Sequence, residues 1–200
     1  MTKLALSDEI LMKIDKPARY IGNELNSIKK DKEKVAIRFA MCFPDVYEIG
    51  MSHLGVQILY DMFNKMEDVW CERVYSPWPD LHKIMKEEHI PLFGLESQEP
   101  IKNLDFIGFT LNYEMCYTNV LQILDLGQIP LLAKDRTEDD PLVIGGWQTS
   151  LICFIWERVK FLSTNCLIFI KKCVQREKHA MNFYMKLLKC LVSMCHPSMK

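Results

Sequence analysis

A doubly wound α/β fold with a mainly parallel sheet is predicted by three features of the sequence. Residues 35–41 and 105–111 are apolar on both faces, as strands sandwiched between helices must be. Each is followed by a loop dense in polar residues, and then by apolar positions at three- and four-residue spacing. A further apolar run, Leu142, Val143 and Ile144, ends at Gly145-Gly146, so strand and helix alternate across residues 35–146.

Residues 1–34 form a polar lead-in, with an amphipathic segment from Leu4 to Ile14, a break at Pro17 and a lysine- and aspartate-rich connection. The first strand presents Val35, Ile37, Phe39 and Met41 and stops at the turn signal Pro44-Asp45. Gly50 and Gly55 bracket the turn into a helix whose buried stripe is Leu54, Ile58, Leu59, Met62 and Phe63. Residues 69–74 read as a second strand. Trp78-Pro79-Asp80 opens a helix with proline in its first turn and an acid where the helix dipole favours one. Residues 90–95 are expected as a short third strand, and residues 101–104 as a linker or a turn of helix. After the strand at 105–111, residues 113–126 are expected to form a helix that Gly127 ends in a left-handed cap. Residues 130–132 are expected as another short strand, and residues 135–140 as a charged turn.

From Trp147 the character changes. Residues 147–200 contain no glycine and most of the eight cysteines, with helical periodicity near 161–174 and 181–194. The expected fold is therefore a sheet domain at 35–146, incomplete, with a poorly defined helical tail.

Net charge is −1 with both signs interspersed, which gives no electrostatic footprint for nucleic acid or an anionic membrane. No apolar run reaches the roughly 20 residues of a membrane span. Eight cysteines without a secretory leader point to reduced thiols and a cytoplasmic location.

Candidate site residues cluster where strands end, because open α/β sheets bind ligands beyond the carboxyl ends of their strands. Asp45, Tyr47, Glu48, Ser52 and His53 share the loop after the first strand, and Asn112, Tyr113 and Glu114 hold the equivalent place after the strand at 105–111. Each has a plain alternative as a helix-capping residue, Ser52 above all. Gly145 and Gly146 would allow close backbone approach of a flat ligand. Cys42, Cys71 and Cys116 read as small buried hydrophobes.

The runs CFPDVYEIGMSHLG, CERVYSPWPDL, IPLFGLES, DFIGFTLNYEMCYTNVLQILDL and DDPLVIGG resemble the amino-terminal part of a family of radical S-adenosylmethionine proteins with a cobalamin-binding-like domain. The resemblance covers about residues 13–146. It implies a flavodoxin-like cofactor domain that precedes a catalytic barrel, and that barrel is not expected in this chain. Cobalamin is the cofactor the resemblance implies. A four-iron four-sulfur cluster and S-adenosylmethionine are expected only in the full-length parent, whose barrel would be this module's partner. No C-x-x-x-C-x-x-C run exists here to hold such a cluster, the closest cysteines being Cys190 and Cys195. The cobalt-ligating pattern D-x-H-x-x-G is also missing, with Met51 and Val56 where its anchors would stand around His53. The resemblance further implies that Arg19 and Tyr20 touch a neighbouring domain, against a plain packing of Tyr20 and Ile21 on the sheet. A cofactor-free docking module, or a truncated product without function, are the alternatives.

The tail is expected to be a reading-frame error. FIWERVK at residues 154–160 can be encoded so that a shifted frame spells YLGEGE, and LVSMCHPSMK at 191–200 so that the same shift spells GVYVPSKYE. Both resemble family motifs in the expected order. A shifted frame would also erase the selected pattern of turns and apolar periods.

Overall fold

The computed structural model describes residues 4–147. Four strands, β1 (Ile37–Phe43), β2 (Val69–Tyr75), β3 (Phe106–Leu111) and β4 (Leu142–Trp147), form one all-parallel sheet in the order β2-β1-β3-β4. This is the flavodoxin-like order, with the chain reversing direction across the sheet at β1. The expectations for residues 148–200, both helices and the frame error, lie outside the described residues.

Alternation along β1 builds two cores. Ile37, Phe39, Met41 and Phe43 point to one face, where α4 (Leu54–Asn64) covers them with Val56, Tyr60 and Phe63. Ala40 and Cys42 point to the other, beneath α5 (Pro79–Glu87) and α6 (Tyr117–Leu126), which contribute Leu81, Met85, Ile123 and Leu124. Each fully buried side chain of this size contributes roughly 1.5–3 kcal/mol. Gly108 makes the first face possible, because a Cβ there would meet the Phe39 ring at 2.4 Å.

Several expectations need correction. Residues 90–95 are not a strand. They run as a buried loop that folds on itself through an antiparallel bridge, Phe93 to Pro100, and is held by Leu92 N donating to Leu126 O and Leu95 N to Arg73 O, with Leu92, Phe93 and Leu95 filling the cores. Residues 130–132 are likewise outside the sheet. The amphipathic segment at residues 4–14 forms a single helical turn, α1 (Asp8–Leu11), capped by Ser7, and a second turn, α2 (Ala18–Ile21), follows the break at Pro17. Gly127 is right-handed, with φ −71°, and Gln128 takes the left-handed position instead, with φ 57°. Glycine at 127 answers to packing, since a Cβ would lie 2.6 Å from Ile101 Cδ1.

The outer edge of β2 is closed without a strand. The Asn64 amide accepts from Cys71 N and donates to Cys71 O, both at 3.0 Å. Glu96 accepts from Arg73 N at 2.7 Å, and Leu95 N donates to Arg73 O at 3.0 Å. Lys30 donates to the carbonyls of Met66 and Val69. Side chains and loop thus satisfy backbone groups that would otherwise template another chain.

Candidate functional site

Cys42, Phe109 and Gly145 lie side by side in register on β1, β3 and β4. The loops that follow therefore emerge together at the carboxyl edge, at the point where strand order reverses between β1 and β3. Asp45 and Asn112 each stand three residues past that level.

Two of the predicted residues meet across this crevice. Tyr113 Oη donates to Asp45 Oδ2 at 3.1 Å, while Asp45 Oδ1 accepts from Val46 N. The contact with the carboxylate raises the Tyr113 phenol above its ordinary value. Asn119, on α6, donates its amide to Pro44 O at 3.0 Å and ties the start of that helix to the β1 loop. Asn112 Oδ1 is buried and has no hydrogen-bond partner. An unpaired buried carbonyl costs about 1–3 kcal/mol, so its presence calls for a reason.

Other predicted residues turn away. Tyr47, in α3 (Tyr47–Ser52), donates to Glu24 Oε1 at 2.9 Å. Burial, and then this carboxylate, push its phenol up to about 12. Glu48 pairs with Arg19 at 2.7 Å and Lys16 at 3.6 Å, and the Arg19 hydrogen bond holds it below the ordinary carboxylate range. Ser52 donates to Ile49 O and does not cap the next helix. His53 does: its Nδ1 accepts from Val56 N at 3.3 Å, and its ring lies 5.0 Å from that of Phe43. Gly145 and Gly146 lie inside β4, paired with Phe109 and Thr110, one residue short of the strand's end. A Cβ at Gly145 would make only ordinary contacts, nearest Leu111 Cδ1 at 3.5 Å.

Arg19 and Tyr20 serve this chain's own fold. Arg19 is buried against Glu48 and stacks over Trp78, and Tyr20 Oη accepts from Trp78 N. Tyr20 packs in the core as the plain reading had it.

Behind α3 lies a charge network that the strand pattern alone had not exposed. Arg73 donates to Glu96 Oε1 and to Glu24 Oε2, each at 2.7 Å, and to Met51 Sδ, with its guanidinium 4.8 Å from the Tyr60 ring centre. Its neighbour Glu72, fully buried on the opposite face, takes Arg38 and Ser97. The signal was present in VWCERVY, where adjacent opposite charges interrupt an otherwise apolar strand. Such a pair in a buried strand demands partners on both faces.

His53 has the geometry of a helix cap rather than of a metal ligand. A histidine that ligates a metal through Nε2 must carry its proton on Nδ1. With Nδ1 of His53 accepting a backbone N–H, the neutral ring's proton is on Nε2. Among the described residues no group of three or more His, Cys, Asp or Glu side chains is placed to hold a metal ion, and no helix is long and apolar enough to cross a membrane.

The family model described as radical SAM proteins, N-terminal, matches residues 55–154, reaching beyond β4 into the segment read as frame-shifted. No curated protein and no solved structure matches the chain. The match spans half of the chain and includes β2, β3, β4 and both helices that cross between them, so this protein belongs to the family of radical SAM N-terminal domains.

Proposed function

We propose that the chain is an accessory module of a radical SAM protein, whose carboxyl-edge crevice receives a cobalamin-like ligand held through its amide periphery and not through cobalt. The observation that carries this reading is Asn112 Oδ1, a buried acceptor without a donor at the strand-order reversal, beside the Asp45–Tyr113 pair. Corrin rings carry peripheral amides that donate N–H groups, the chemistry this oxygen lacks. With no C-x-x-x-C-x-x-C to hold a cluster, S-adenosylmethionine cleavage belongs to the radical SAM part of the parent. On this reading the module works in the cytoplasm, with neither nucleic acid nor membrane as partner.

The test is gel filtration of the chain after incubation with hydroxocobalamin, with visible absorption as the readout. Co-elution is expected, weakened by Asn112→Ala and Asp45→Ala and unchanged by Asp61→Ala on the exposed face of α4. No co-elution would overturn the reading.

A second reading is favoured by the internal engagement of Tyr47, Glu48 and His53, which removes three of the loop's polar groups from any ligand. It is a docking module of the same family with no cofactor. In either case residues 147–200 are proposed to be translated in a shifted frame and to contribute no site. Sequencing the coding DNA decides this: stops in the alternative frame, or its failure to spell the two motifs, would end the idea.

A further inference from the structure

The exposed side of α6 is not what a solvent-facing helix should carry. Tyr117 and Leu121 stand one turn apart on α6 and are 46% and 50% exposed, and Tyr113 and Met115, in the extended residue and single 3-10 turn that lead into the helix, are 42% and 82% exposed. The helix's core side is already furnished by Ile123, Leu124 and Leu126, so Tyr117 and Leu121 are surplus to that packing. Charged or polar residues belong on that side, and clustered exposed aromatics mark interaction surfaces. The surface is also held in place. Tyr113 is tied to Asp45 and Asn119 to Pro44 O, so little ordering would remain for a partner to impose.

What covers it follows from the path of the chain. β4 runs parallel to β3, and Trp147 lies opposite Leu111. The chain therefore leaves the sheet at the carboxyl edge, one strand spacing of about 4.8 Å from the strand that leads directly into Tyr113. The family is described as the N-terminal part of radical SAM proteins. We propose that the stripe Tyr113, Tyr117 and Leu121, with Met115, is the surface on which the radical SAM part of the parent protein docks. The proposal rests on the family assignment; Tyr113 borders the crevice, and Tyr117 and Leu121, which the test changes, stand outside the Asp45–Tyr113 pair.

The experiment titrates the full chain with the separately produced radical SAM part of a longer family member, by calorimetry. The native chain is expected to bind. Leu121→Asp and Tyr117→Asp should each weaken binding by at least about tenfold. Leu132→Asp should bind as the native chain does, since Leu132 is equally exposed but lies in the connection from α6 back to β4, at the other end of the helix. Circular dichroism and urea midpoints of all three variants should match the native chain. Absence of native binding, equal losses at Leu121 and Leu132, or a homodimer that Leu121→Asp dissociates would each overturn the proposal. Hydroxocobalamin co-elution with Leu121→Asp separates the two readings, because a cofactor platform keeps its ligand when docking is lost.

Discussion

Glu96 should make this domain lose stability as pH rises through the neutral range. Its carboxyl group is buried against Arg73, and burial pushes it from the ordinary 4.5 up to about 7, although the Arg73 guanidinium and backbone N–H pull the other way. Between these values the folded chain holds a proton that the unfolded chain has released. Unfolding then releases a proton, so stability is fully present below about pH 4.5 and is lost as pH climbs through 7. At about 1.4 kcal/mol per pH unit, the interval amounts to about 3 kcal/mol. Glu48 and Glu99 work in the opposite sense at lower pH. Glu48 is held down chiefly by Arg19; Glu99 is pushed up by burial but held down more strongly by Arg38 and Lys32. Glu96→Gln keeps an acceptor for Arg73 N and removes the titration. Urea unfolding at pH 5, 6, 7 and 8 should show the native chain losing stability steadily, while the variant stays nearly level. A native profile that is flat or rising, or a variant with the native slope, would refute the argument that desolvation outweighs the ion pair at this site.

Gly22→Ala should cost about 3 kcal/mol in urea unfolding and expose the lead-in to protease. At φ 65° and ψ −149° the position suits glycine alone, and a Cβ would lie 2.3 Å from Leu95 O. Asn64→Ala should cost about 2–3 kcal/mol, because it leaves both backbone groups of Cys71 buried without partners. Hydrogen exchange at the Cys71 amide should quicken in that variant, and unchanged protection would show that the edge is closed by something else.

How much could be read from the sequence depended on whether a residue's partner was local. β1 and β3 were legible because burial on both faces leaves an unbroken apolar run, and the crevice followed from where those runs end. Residues 90–95 misled because Leu92, Phe93 and Leu95 are buried as a strand's would be, and periodicity cannot tell a buried loop from a buried strand. The left-handed Gln98 gives the difference away, turning the chain back so that Glu96 and Glu99 reach Arg73 and Arg38. Ser52 and His53 both suit a helix start, and only the geometry of the α3–α4 break selects histidine. The lead-in looked solvated because its partners are far off in sequence: Arg19 finds Glu48, Glu24 finds Arg73, and Lys30 finds the carbonyls at the start of β2.

One edge of the sheet is closed by groups drawn from three segments, the lead-in, α4 and the loop at residues 95–96. Asn64, Lys30, Leu95 and Glu96 together occupy the outward-facing backbone groups of β2 at Val69, Cys71 and Arg73. Growth of the sheet on that side would have to break a buried ion pair and a bidentate amide contact at once. A broken buried ion pair alone costs about 3–5 kcal/mol, more than one added strand pair returns. β4 is the other end of the strand order, and it is also where the chain leaves the sheet at the carboxyl edge. The β2 edge is therefore closed to sheet extension by α4, the loop at residues 95–96 and Lys30, while the crevice at Asn112 lies at the carboxyl edge where β4 leads the chain out of the sheet.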